Sequence, residues 1–427
     1  MRLARWKRSL GGQLLLLLAC ACPALAAGGE RIISVTHDRV DVDALWESLR
    51  ERDRFVDPVS EQGQHAHGLY FNGPTARRLG SRGIARTVRN ARTVRNAGLN
   101  AAVIDLKDEQ GRITYDTHIE TLKPQARRFV KDMPAMLREL RAAGVYTIGR
   151  IACFSDPQLP RREPDRAVMD GRPGKVGQVW GVNWGRKNTW LDPYNVRNHE
   201  LIVELAREAQ AIGIDEVQLD YIRFPVDDAT QYAVFPAQVD TPRREVLLGL
   251  LARIDEAITI PLGTDVFGLT AFREGDPAGL GQVPELWARH VEVFSHMLYV
   301  NGMRQWVRGD GEQRAMRLIN AAMKNLRRRL GHGPILRPFM QAFSQGADYY
   351  DANFIAEQVR GARSGGADGF LFWHPGSNYG TVRAGILGPA SGALPFPIDE
   401  RIAWRRQAWA DRMSYEGRRR YLAGESR

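Results

Sequence analysis

The sequence predicts an α/β chain folded as a (β/α)8 TIM barrel, and three observations carry that expectation. Eight short apolar runs alternate with helix-period segments across residues 67–383. Several of those runs end in an acid or a base, as barrel strands do when they deliver polar groups to one rim. No glycine-rich phosphate turn follows the first run, which argues against a doubly wound open sheet.

Taken in order, the strand candidates are GLYFNG (68–73), AAVIDLKD (101–108), VYTIGRIACF (145–154) and IDEVQLDYIRFP (214–225). PLGTDVFG (261–268), FSHMLYV (294–300), ILRPFMQAF (335–343) and DGFLFWHP (368–375) complete the set. Helical periodicity places helices at about 76–97, 125–143, 196–212, 242–258, 283–292, 312–330 and 352–364. The fourth run is the most informative. Ile214, Val217 and Leu219 supply an apolar pattern, while Gln218 and Asp220 alternate onto the other face. A parallel strand covered on both faces is apolar nearly throughout. An acid at its C-terminal end therefore needs a cause, either a structural pair with Arg223 or chemistry.

Two stretches are irregular. ARTVRN occurs twice in tandem, Ala85–Asn90 and Ala91–Asn96; six residues advance a helix by about 600°, so the copies face different ways. The connection from Ser155 to Pro193 is too long for a simple turn. Its Trp180, Trp184 and Trp190 suggest an aromatic surface near the barrel mouth, with a core-packing flap as the alternative.

Composition sets the class. The 427 residues are 44% apolar and 26% charged, ordinary for a globular protein. The net charge of +11 favours anionic surfaces or polymers. Neither an RNA-binding aromatic motif nor a zinc finger is present, so nucleic acid is not an expected partner. Arg2, Arg5, Lys7 and Arg8 precede an apolar run from Leu14 to Cys22, and Ala24-Leu25-Ala26 offers a cleavage site, so residues 1–27 read as an export signal. The run is too short to span a bilayer, and no transmembrane segment is expected after cleavage. Leu17-Leu18-Ala19-Cys20 offers a lipoprotein site as the lesser alternative. Cleavage leaves Cys153 as the only cysteine, so no internal disulfide is expected in a periplasmic or secreted protein. Residues 28–66 read as an exposed lead-in, 67–383 as the barrel and 384–427 as an arginine-rich helical extension around Trp404–Tyr421.

Barrel active sites lie at the C-terminal strand ends. Those ends carry Asp105 and Lys107, Arg150, Asp220 with Tyr221 and Arg223, Asp265, His296 and Tyr299, Arg337 and Gln341, and Trp373. Paired carboxylates at a barrel mouth suit glycoside hydrolysis, in which one acts ionised and the other protonated. Asp220 and Asp265 end adjacent strands, and Arg223 is expected to hold Asp220 ionised. Trp373 and Tyr70 offer faces for sugar rings. Other chemistries fit less well. The His65-Ala66-His67 pair precedes the first strand, on the wrong rim for a metal hydrolase. No G-x-S-x-G elbow occurs, and Cys153 has no nucleophile context.

The motifs VIDLKDEQGRITYD, RIACFSDPQL, WLDPYN, EVQLDYIRFP, GTDVFG and LRPFMQAF occur in this order. Together they resemble the bacterial glycoside hydrolase family of DUF4015 type over about residues 66–380. The resemblance implies a TIM barrel of the glycosidase superfamily, with Asp105, Lys107, Asp192, Asp220, Arg223 and Asp265 at motif positions. Where the family tends to read PMVYPSHY in the sixth strand, this chain has HMLYVNGM, His296–Met303, keeping Met297 and Tyr299.

The expectation is an exported glycoside hydrolase that needs no cofactor or metal and acts on a cell-envelope or extracellular polysaccharide or oligosaccharide. Asp220 and Asp265 are its catalytic pair, roles interchangeable. Asp105, Lys107, Arg150, Asp192, Tyr221, Arg223, Tyr299, Gln341 and Trp373 are its substrate-contacting or tuning residues. The altered sixth strand keeps open a non-catalytic glycan-binding or envelope protein on a decayed barrel, and a barrel esterase or deacetylase is a weaker alternative.

Overall fold

Period-two alternation along each run decides which side chains fill the barrel and which meet the helices. In the computed structural model, described over residues 59–89, 98–181, 189–226, 230–308, 311 and 313–387, all eight runs are parallel strands. They are β1 (His67–Phe71), β2 (Ala101–Lys107), β3 (Tyr146–Ala152), β4 (Glu216–Asp220), β5 (Leu262–Phe267), β6 (Val293–Leu298) and β8 (Phe370–Trp373). The seventh, β7, comes in two pieces, Ile335–Leu336 and Phe339–Gln341, on either side of Arg337-Pro338. Each strand pairs with the next, β6 meets both pieces of β7, and β8 returns to β1 through His67↔Phe370 and Leu69↔Phe372. The sheet is closed, a (β/α)8 barrel.

Tyr70, Ala101, Val103, Tyr146, Ile148, Phe339 and Leu371 form the apolar packing inside the barrel. Their strand neighbours Leu69, Phe71, Ala102, Ile104, Val217, Leu219, Phe370 and Phe372 face outward into a larger core with the helices. Those helices are α1 (Gly73–Arg89), α2 (Met133–Ala142), α3 (Val196–Ile212), α4 (Arg243–Asp255), α5 (Pro284–Trp287), α6 (Arg314–Leu330), α7 (Ala352–Gly365) and α8 (Gly380–Leu387). A break divides α1 at Gly80, whose φ of 59° and ψ of −179° suit only glycine.

Two expected helices are shorter than periodicity predicts. The 125–143 segment starts its helix at Met133, where the Asp132 side chain caps the N–H of Ala135. Before it, the chain folds back beside β2, with Ile113 bridging both Lys107 and Ala126. The 283–292 segment makes a single turn, after which the Glu292 carboxylate accepts the Leu262 N–H at the start of β5.

The last residues of the expected lead-in are only partly exposed, at Ser60, Glu61 and Gln62. Val59, Gly63, Gln64 and Ala66 are buried beneath the N-terminal ends of the strands. There Arg337 donates to Glu216 Oε1 at 2.8 Å and to the Gly63 carbonyl at 2.6 Å, and Tyr146 donates to Glu216 Oε2 at 3.1 Å. His67 opens β1 on this side, stacked on Phe370 at 4.4 Å. The export signal, the second ARTVRN copy, Trp184 and the extension from residue 388 lie outside the described residues. Among the described residues no helix is long and apolar enough to cross a membrane.

Candidate active site

At the opposite end of the barrel the inward positions turn from apolar to charged. Asp105 on β2 and Arg150 on β3 are register partners, as are Ala152 on β3 and Asp220 on β4. Arg150 therefore lies between two acids. Its Nη1 donates to Asp105 Oδ1 at 2.6 Å, while Nε and Nη2 donate to Asp220 Oδ2 at 2.9 and 2.6 Å. Charge-assisted bonds of this length are the strong kind. Burial opposes the charge on Arg150, but Asp220 and Asp105 outweigh it and hold the guanidinium firmly protonated.

The cation on Asp220 is thus Arg150 and not Arg223, as the sequence had suggested. Arg223 lies over the rings of Phe267 at 4.6 Å, Trp190 at 4.7 Å and Tyr221 at 5.4 Å, and donates to the Phe224 carbonyl. Tyr221, half-buried, has a φ of 50°, which turns its own N–H onto Asp220 Oδ1 at 2.6 Å. A bulky residue in the left-handed region is strained, and such strain collects at functional sites.

Asp265 is buried like Asp220 but differs from it in its donors. Its Oδ1 has no hydrogen-bond partner among the described residues, and Ser295 is its register neighbour on β6. Burial, reinforced by the charge of Asp220, pushes its carboxyl well above the usual range. Asp105 is also buried and takes the Tyr70 hydroxyl at 2.6 Å. Burial raises it to about 7 against the pull of Arg150.

An aromatic wall flanks these acids. Trp373, half-buried at the end of β8, packs on Tyr299 at 5.7 Å, Phe343 at 5.5 Å and Tyr70 at 6.2 Å. Burial, reinforced by the charges of Asp265 and Asp220, pushes the Tyr299 hydroxyl up. Phe343 and Glu109, whose Oε2 lies 3.5 Å from Arg150, belong to this neighbourhood without having been expected. Glu109 sits beyond the strand end, where sequence pattern gives no direction.

Other expected contacts are engaged elsewhere. Lys107 is buried, donating to the carbonyls of Ala152 at 2.7 Å and Ser155 at 3.2 Å and pairing with Asp156 at 3.2 Å. A register shift between Asp105 and Lys107 separates the two side chains that simple alternation puts on one face. Asp192 accepts the N–H groups of Tyr194 and Ala237, both at 2.9 Å, and so joins the loops after β3 and β4. Gln341 accepts the Asn301 N–H and donates to the carbonyls of Phe343 and Gln345. Trp180 and Trp190 are buried, so the long loop is a packed flap at these positions and not an aromatic surface. Its ends are held by Thr189, which donates to the Asp156 carbonyl at 2.6 Å. His296 faces away from the mouth, buried against Phe294.

A family model described as DUF4015, "Putative glycosyl hydrolase domain", matches residues 75–379. Among solved structures, the glycoside hydrolase domain of PgaB (BpsB) from Bordetella bronchiseptica is similar at a TM-score of 0.55 and 13% identity, over 78% of this chain and 99% of that one. A hypothetical protein from Ruminiclostridium thermocellum is 30% identical over 46% of this chain and 97% of its own, with a TM-score of 0.39. No protein of curated function matches the sequence. The family match runs from α1 to the residues after β8 and takes in every acid at the mouth, so the chain belongs to the DUF4015 family.

Proposed function

We propose that this protein is a glycoside hydrolase in which Asp265 is the general acid and Asp220 the nucleophile or general base. One observation carries the assignment. Three N–H donors converge on Asp220, whereas Asp265 has a buried oxygen with no partner among the described residues and a strongly raised carboxyl. Two carboxylates whose surroundings push them apart are the mark of an acid and base pair. Protonated Asp265 donates to the glycosidic oxygen as the bond to the anomeric carbon breaks. Ionised Asp220 then adds to that carbon, or takes a proton from the water that does. Trp373 and Tyr299 supply the aromatic wall for the sugar ring. The reaction balances with water alone. Export, which the N-terminal residues suggest, makes a cell-envelope or extracellular polysaccharide the expected substrate.

Reducing-end release from a polysaccharide panel tests the assignment. Asp220→Asn should abolish hydrolysis while circular dichroism stays native. Asp265→Asn should lose about 100- to 10,000-fold on unactivated glycosides, the usual contribution of acid catalysis. It should be largely spared on aryl glycosides whose leaving group needs no proton. Full activity in Asp220→Asn would remove the proposal.

A further inference from the structure

The Arg150 guanidinium serves two acids, and only one of them belongs to the proposed acid and base pair. We propose that Asp105 is a positioning residue that acts through Arg150, fixing the guanidinium on Asp220 and balancing its charge during the reaction. The inference rests on the role of Asp220 above and deepens it.

The geometry supports both parts. Nη1 of Arg150 is occupied by Asp105 Oδ1, so the guanidinium plane is set with Nε and Nη2 aimed together at a single oxygen of Asp220. Asp105 is fixed in turn by the Tyr70 hydroxyl on its second oxygen, and the Tyr70 ring lies against Arg150 at 5.5 Å and Trp373 at 6.2 Å. Without Asp105, Nη1 has Glu109 Oε2, at 3.5 Å, as its nearest other acid, and reaching it tilts the plane off Asp220. The charge argument is independent of stereochemistry. Asp220 loses its negative charge when it bonds to the anomeric carbon, and equally when it accepts a proton from water. Arg150 is then left as a buried cation with Asp105 as its remaining tightly bonded anion, and an unpaired buried charge is costly.

The groups facing Asp105 are Tyr70 on β1, Arg150 on β3, and Glu109 and Asp108 beyond β2, with Asp265 across the mouth. The Tyr70 hydrogen bond favours the ionised form of Asp105. Removing it raises the pH at which Asp105 takes up a proton.

Three variants test the inference. In Asp105→Asn, kcat should fall about 100-fold, the cost of a misaligned reacting group, with KM little changed. In Tyr70→Phe, the acid limb of the kcat profile should move to higher pH, a change that loss of packing alone does not produce. In crystals of Asp105→Ala, which need no substrate, Arg150 should leave Asp220 and turn to Glu109. Arg150 unmoved on Asp220 in those crystals, or wild-type kcat and an unshifted acid limb in the first two variants, would overturn it. That outcome together with a dead Asp220→Asn variant leaves the hydrolase assignment standing; an active Asp220→Asn removes the assignment itself.

Discussion

Lys107 and Arg150 are buried cations on adjacent strands, and the shape of the charged group separates their roles. The Lys107 ammonium gathers two carbonyls and Asp156 around a point charge, which fastens the start of the long loop to β2. The planar guanidinium of Arg150 spans two carboxylates. Replacing Lys107 by methionine should leave Asp156 buried without its cation, held by Gln125 and the N–H groups of Gln158 and Leu159, and cost about 3 kcal/mol, read as a lower urea midpoint. The loss should shrink when Asp156 is also made apolar. Asp220 was legible in the sequence because an acid interrupts an apolar strand. Its cation was not, because Arg223 is near along the chain while Arg150 is near across the sheet, and register is set by the closed barrel and not by local pattern. Lys107 was misplaced for a related reason, since the shift beside it leaves no mark on alternation.

At the level of elements, the strands were more legible than the helices. Eight apolar runs flanked by turn residues survive any choice of boundary, because strands covered on both faces are rich in apolar residues even where the inner face turns polar. Helices 125–143 and 283–292 were overextended, because periodicity does not register a cap such as Asp132 or a chain that folds back at Ile113. The division of β7 at Arg337-Pro338 has an energetic side. Arg337 and Glu216 are wholly buried, and burial raises the Glu216 carboxyl even though Arg337 pulls it down. Glu216→Gln should therefore destabilise the fold by about 3–5 kcal/mol in chemical denaturation, as breaking one side of a buried pair does. The double change to apolar residues of similar volume should recover most of it.

For the whole molecule, stability should decline in acid for a reason that lies outside the candidate active site. Burial lowers His67 and His296 to about 3, from an ordinary value of 6.5. Below pH 6.5 the unfolded chain binds protons that the folded one refuses, so each ring removes up to about 1.4 kcal/mol per pH unit until its folded value is reached. His296 has no partner for either ring nitrogen among the described residues, so His296→Leu should keep the fold and flatten the fall in Tm between pH 6.5 and 4. An unchanged slope would refute this origin. The closure of the sheet also bears on how the chain is made. The edge of β1 that waits for Phe370 and Phe372 is completed only by residues some three hundred positions later. The carbonyl of Gly63 likewise waits for Arg337. During synthesis the first strand leaves the ribosome long before its second neighbour exists, so the barrel is sealed only when nearly the whole chain has emerged.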